Sequence, residues 1–367
     1  MQHGAVNALA AQLRQDTEAI CYADGRKVGT SGHERARVHL VRRLAEIGCV
    51  PFSGESVELP YRFKKQDFCN LIGRVPGTDS HLPPLLIGAH YDSVIPFPCA
   101  DDNAAAVAIA LQAGRIIHER GGLQRDVVIA IFDAEEPPYF LGEGMGSQRF
   151  YADHVVGKGT IHAAVVMDLV GHDISVPGSM LENLPGVGML SRLLPSFGSK
   201  DFTVPHLRSA LFVTGSESHA ELSPALTQIG QPADLKVIAT QNSYIGDMSD
   251  HGVFRRHGVP YWFLSCGQWV HYHTPTDTPD RLNYDKMTAI TNYLLQMVEC
   301  LDERELSAER KVEQVHDTIE LEAAFLRSAL GWLHGPVMRW AGLTEVKSRA
   351  DMDQFATKLL GLGLGGL

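Results

Sequence analysis

The sequence predicts an α/β fold: a mostly parallel central sheet sandwiched by helices, followed by an extra C-terminal helical tail. Two observations carry this. Through the middle of the chain, short apolar runs alternate with stretches whose apolar residues recur at helical spacing, the order expected of a largely parallel sheet. Five of the segments, PLLIGAHYDS (84–93), CADDNAAA (99–106), VVIAIFDAEE (127–136), AAVVMDLVG (163–171) and HYHTPTDTPD (271–280), bring His, Asp or Glu to or near the end of such a run. Sites in open α/β sheets form where strands end.

Residues 5–22 and 33–48 read as helices from their apolar periodicity. Residues 58–63 read as an extended edge strand. Strands are then expected at 70–75, 85–91, 127–132 and 163–169, with helices at 103–120 and 145–153 between them. Residues 172–209, rich in Gly, Pro and Ser, read as an irregular insertion. Later strands are expected at 210–213, 235–238 and 261–264, and a helix at 284–301. The character then changes. Residues 302–330 are charged and helix-prone, 331–343 are apolar with Gly and Pro, and the chain closes on GLGLGGL. A boundary near 303 divides a catalytic unit, 1–303, from a helical C-terminal extension, 304–367. In that extension Val312, Val315, Ile319, Leu326, Ala329 and Leu333 form a helical seam broken only by Glu322. The seam suits packing against another helix: a homo-oligomer through the C-terminal helix, or a fold back onto the same chain.

Hydrophobic residues make up 44% of the sequence and charged residues 20%, enough for a sizeable core. The formal net charge of −11 argues against nucleic acid and against an anionic membrane as partners. The first twenty residues lack the basic and apolar regions of a secretory signal, and no apolar run is long enough to span a bilayer. Six scattered cysteines without a C-x-x-C pair read as free thiols. A cytoplasmic location is the expectation.

His90 and Asp92 stand two apart, so a strand puts them on one face, where the carboxylate can fix the imidazole tautomer. Asp101 and Asp102 precede a helix. Capping explains one of them; a carboxylate bridging two cations would suit Asp102. Glu135 and Glu136 follow a strongly apolar run. Two adjacent buried acids repel, so a metal on one would leave the other free to act as a base. Asp168 sits inside VVMDLVG and needs a partner, a metal or an Arg. His273 has a rival in His271, and a loop His is more often solvated than ligating. Together these groups suit two Zn²⁺ ions or another divalent metal.

In this order the segments resemble the aminopeptidase-type co-catalytic zinc metallopeptidases, which include leucyl aminopeptidases, aminopeptidase Y and glutamate carboxypeptidase, with glutaminyl cyclase as a relative. The resemblance covers roughly residues 65–300. It implies that His90 and Asp168 hold one zinc, that Glu136 and His273 hold the other, and that Asp102 bridges them. It makes Glu135 the general acid/base and Asp92 the residue that orients His90, and it implies a cis peptide between Asp102 and Asn103. Ser249-Asp250-His251-Gly252 resembles a segment lining the pocket, with Asp250 and His251 as substrate-binding candidates; an N-cap on the next helix is the competing reading. The implied activity is an exopeptidase acting on a peptide or amino-acid amide. The alternatives are a glutaminyl cyclase-like aminoacyltransferase, for which one zinc suffices, and an inert binding protein on the same fold. Two features depart from the family pattern: Cys99 replaces the usual Gly, and PPYFLGEGM lengthens the link from Glu136 to Gly146-Ser147.

Overall fold

The computed structural model describes residues 2–174, 205–307 and 315–359. Two helices, α1 (Gln2–Glu18) and α2 (Ser31–Glu46), open the chain. Thr30 caps α2 by accepting the His33 N–H. The strands are β1 (Val50–Pro51), β2 (Glu58–Phe63), β3 (Gln66–Val75), β4 (Leu85–His90), β5 (Val127–Phe132), β6 (Ala163–Met167), β7 (Ala210–Thr214), β8 (Lys236–Ala239) and β9 (Tyr261–Ser265). Between and after them lie α3 (Ala105–Glu119), α4 (Gly146–Phe150), α5 (Leu222–Ile229), α6 (His251–Arg256) and α7 (Tyr284–Asp302). The extension carries α8 (Ile319–Leu330), α9 (His334–Ala341) and α10 (Arg349–Leu359).

The strands form one sheet in the order β1-β3-β5-β4-β6-β9-β7-β8, with β2 paired to β3. Its centre, β5-β4-β6-β9, is parallel, as the alternation of strands and helices predicts. The flanks make the sheet mixed: β3 runs antiparallel to β5, and β7 antiparallel to β9. In β4, β5 and β6 every residue is buried. Their side chains divide by the two-residue period of a strand. Leu85, Ile87, Ala89, Val127, Ile129 and Ile131 join a core shared with α1, α2, α3 and α7. Leu86, Val128, Ala130, Phe132, Ala164 and Val166 face Phe150, Tyr151 and Phe254 on the other side. The chain leaves β4 for β5 on one flank and later reaches β6 on the other. The C-terminal end of β4 is therefore the switch point where such sheets leave a crevice.

Most of the insertion expected at 172–209 lies outside the described residues, as does Val312. The rest of the seam is not one helix. Residues 315–318 are non-helical, Val315 is exposed, and Gly331 ends α8. The helix folds back on its own chain. Leu321 and Phe325 join the main core, while Leu326, Leu330, Met338, Val346, Met352 and Phe355 form a satellite core. Glu322, the break in the seam, is 1% exposed and receives both terminal nitrogens of Arg349, at 2.9 and 2.6 Å.

Candidate metal centre

The expected ligands converge at the C-terminal ends of the central strands. His90 is the last residue of β4, Asp168 follows β6 directly, Glu135 and Glu136 lie just past β5, and His273 stands on the loop after β9. Two groups of ligand atoms result, His90 with Asp102 and Asp168, and Asp102 with Glu136 and His273. Within each group the atoms lie inside 4.8 Å of one another. Asp102 belongs to both. Its Oδ1 is 3.4 Å from His90 Nε2, and its Oδ2 is 3.0 Å from His273 Nε2. Asp168 Oδ1 stands 3.7 Å from His90 Nε2, and Glu136 Oε1 stands 3.3 Å from His273 Nε2. Glu135 Oε2 lies 3.8 Å from His90 Nε2. His271 is elsewhere, bonded to the Thr276 hydroxyl at 2.7 Å.

The residues present fit divalent cations. Among the described residues, His90 Nε2, Asp102 Oδ2, Glu136 Oε1, Asp168 Oδ1 and His273 Nε2 are buried and meet no partner in hydrogen-bond geometry. Such atoms are costly unless something binds them. The charge balance agrees: Asp92, Asp102, Glu135, Glu136, Asp168 and Asp250 are buried around two imidazoles. Burial, with Asp168, Asp250 and Glu136 adding to it against His90, pushes Glu135 well above the carboxylate range. Burial and Asp102 push Glu136 up to about 8, against His273. Burial opposes the charged form of His273, but Asp102 and Glu136 raise it to about 10. These shifts describe acids in excess over cations.

The scaffold beneath is built from backbone bonds. Asp92 accepts the N–H of Glu135 at 3.0 Å and of Glu136 at 3.1 Å, and its Oδ1 lies 3.3 Å from His90 Nδ1. Asp277 accepts the N–H groups of Asp101 and Asp102, at 2.8 and 3.2 Å. Asp101 accepts from Gly171 N and pairs with His172 Nδ1, both at 2.6 Å. Neither acid of this loop caps α3, whose first turn receives no side-chain cap bond. The Asp102–Asn103 peptide is cis, and so is Pro137–Pro138. Cys99 takes the left-handed backbone, φ 46°, for which glycine is the ordinary choice, which accounts for the Gly expected there. At Gly146 a Cβ would meet the Asp133 carbonyl oxygen at 2.0 Å, so no side chain fits.

Arg26 and Asp277 escape sequence reading. Arg26 is fully buried, and all its donors go to main-chain oxygens: Nε to Tyr91, Nη1 to Ile20 and Pro98, Nη2 to Cys99 and Asp102. It ties the end of β4 to the Asp102 loop. Asp277 was visible in the HYHTPTDTPD segment, but its partners lie 175 and 176 residues away.

Asp250 and His251 are fully buried. Asp250 occupies the cap position of α6 yet makes no side-chain cap bond. It lies beside Ser147, while Ser249 lies beside Asp168. His251 turns Nε2 away, to Asn242 Oδ1 at 2.9 Å and Gly246 O at 3.2 Å.

Residues 70–183 and 199–298 match the model of peptidase family M28. Among curated proteins, the chain is 29% identical over 229 residues to the uncharacterized protein YfbL of Escherichia coli (strain K12), covering 59% of this chain and 66% of that one. It is 24% identical over 237 residues to leucine aminopeptidase 1 of Coccidioides posadasii (strain C735), covering 59% and 52%. The matches thus span between half and two thirds of these relatives' length. Among solved structures, the Legionella pneumophila LapA aminopeptidase superposes with TM-score 0.60 at 16% identity, covering 83% of this chain and 75% of that one. Porphyromonas gingivalis glutaminyl cyclase superposes with TM-score 0.56 at 18% identity, covering 79% and 97%. At such identities the likeness is one of fold. No helix among the described residues is long and apolar enough to cross a membrane.

Proposed function

Because the chain belongs to peptidase family M28, we propose that it is a zinc-dependent exopeptidase that removes an N-terminal residue from a peptide or a related amide. The observation that carries this reading is the sharing of Asp102 between two complete ligand groups. His90 and Asp168 would hold one divalent ion, Glu136 and His273 the other, and Asp102 both. Bound there, the ions supply Lewis acidity toward the scissile carbonyl and lower the pKa of the attacking water. Glu135, its backbone fixed by Asp92, takes the proton of that water at its carboxylate and returns it to the leaving amine. Asp92 holds both glutamates, so the base and its neighbouring ligand keep their relative placement. Asp250 and Ser249 back the wall beside Asp168 and Ser147.

Protein loaded with zinc is to be assayed on aminoacyl-anilides, acyl-amino acids and Gln-peptides, with metal content measured alongside. Release of the arylamine from aminoacyl-anilides at two metals per chain supports the reading. Cyclisation of Gln-peptides at one metal per chain supports the aminoacyltransferase instead. Protein that takes up no metal and turns over none of these substrates is a binding protein on the same fold.

A further inference from the structure

The family match ends at residue 298, yet the extension beyond it reaches the candidate site through one turn. That turn, Asn242–Tyr244, follows β8 and leads to Ser249, Asp250 and His251. From the extension, Asp353 Oδ1 accepts the Tyr244 hydroxyl at 2.6 Å, and Arg349 Nη1 donates to the same hydroxyl at 3.3 Å. Arg349 is in turn fixed by buried Glu322, which also accepts the Thr318 hydroxyl at 2.6 Å. The His316 N–H donates to Glu217 O at 2.9 Å, and Glu217 Oε1 accepts the Asn242 N–H at 2.7 Å.

On the site side, the turn holds His251. Burial lowers the His251 pKa to about 4, so the ring is neutral. The Gly246 carbonyl can only accept, which puts the ring proton on Nε2 and makes Asn242 Oδ1 the second acceptor. The ring stacks on Phe263 at 4.0 Å. A cavity of about 360 Å³ opens over Asn242, Gly246 and Asp247, so the turn is not packed from that side. Tyr244 packs its ring against the satellite core and Ile245 packs against the second core, while on the open side polar links hold the turn.

We propose that the C-terminal extension positions the Ser249–His251 wall of the site, acting through Tyr244 and the Asn242–His251 hydrogen bond. Tyr244 is a positioning residue: it touches no candidate ligand, but it fixes the turn on which His251 rests. The proposal rests on the reading of Asp168 as a ligand at that wall, so its test does not depend on turnover.

The experiment is hydrogen–deuterium exchange on the full-length chain, wild type against Tyr244→Phe and Asp353→Ala, with metal content and turnover measured on the same preparations. Both variants should speed exchange across residues 242–252 by about tenfold, the effect of losing one hydrogen bond to a charged group. The amides of Glu135 and Glu136 should exchange as in wild type, and turnover should fall at unchanged metal content. The double variant should add little to Tyr244→Phe alone, which already removes the hydroxyl that Asp353 accepts. Faster exchange confined to 315–359, or spread evenly over the chain, overturns the proposal. A wild-type chain without peptidase turnover would count against the proposed function, while the exchange pattern would still decide this proposal.

Discussion

Asp92 Oδ1 accepts the backbone N–H of Glu135 at 3.0 Å across 43 residues of sequence. The end of β4 and the segment after β5 are thereby joined at the point where the proposed mechanism moves a proton. Asp92→Ala removes the acceptor for both glutamate amides. It should lower turnover or metal affinity about 10–100-fold, the usual cost of losing a supporting residue. Steady-state kinetics with metal analysis checks this; a variant with wild-type values in both would free Asp92 from the role.

Glu135→Gln keeps the shape of the side chain but cannot take a proton. Turnover should fall by about 10²–10⁴ with metal content unchanged. Glu136→Ala should instead lose metal. Equal metal loss in both variants would erase the distinction between base and ligand.

Metal uptake should release protons. In the metal-free site the neighbouring acids hold the His273 pKa at about 10, so at pH 7 its ring is protonated. A metal needs the neutral ring. Affinity should therefore rise with pH up to that value, and calorimetry in buffers of different ionisation enthalpy should show proton release on binding. Stability should follow. In the metal-free protein the raised His273 pKa contributes stability that is full below the unfolded value near 6.5 and is lost as pH approaches 10. Zinc at about 100 times its Kd should add about 2.7 kcal/mol, read as a rise in Tm that a chelator reverses.

The extension should matter to stability through its core residues. Phe325→Ala empties a position in the main core and should cost about 3–5 kcal/mol. Denaturant unfolding measures it. Association of two chains through the extension would have to use what its inward face leaves over, chiefly Trp332, which is 74% exposed. A lower mass for Trp332→Ala by light scattering would support such a pair; equal masses would confine the extension to its own chain.

The central strands were legible because an uninterrupted apolar run needs burial on both faces, and β2 and β5 begin and end where the sequence puts them. His90 and Asp168 were legible for the same reason, as ionisable groups where such runs end. The cis peptide after Asp102 came from the family resemblance, since nothing in the local residues announces it. The helix expected at 145–153 is shorter, because after Phe150 the backbone widens into a π turn over Tyr151–Val155. With eight residues α5 carries too little periodicity to be read from the sequence, and the six-residue α6 was legible only through the capping reading of Asp250. Glu322 looked like a flaw in an apolar seam because its partner, Arg349, stands 27 positions away. Arg26 and Asp277 were illegible for a related reason. Each binds the main chain of distant segments, and main-chain partners leave no mark on residue type.

Arg26 sets the size of the piece that can be transplanted. Its five nitrogen-borne protons are consumed by carbonyls of Ile20, Tyr91, Pro98, Cys99 and Asp102. A chimera assembled from residue 70 onward, where the family match begins, would take the Asp102 loop without the guanidinium that gathers it. The acceptors would then be left facing a void the shape of an arginine. Anyone grafting this centre onto another scaffold would have to bring the opening thirty residues with it, although no candidate ligand lies among them.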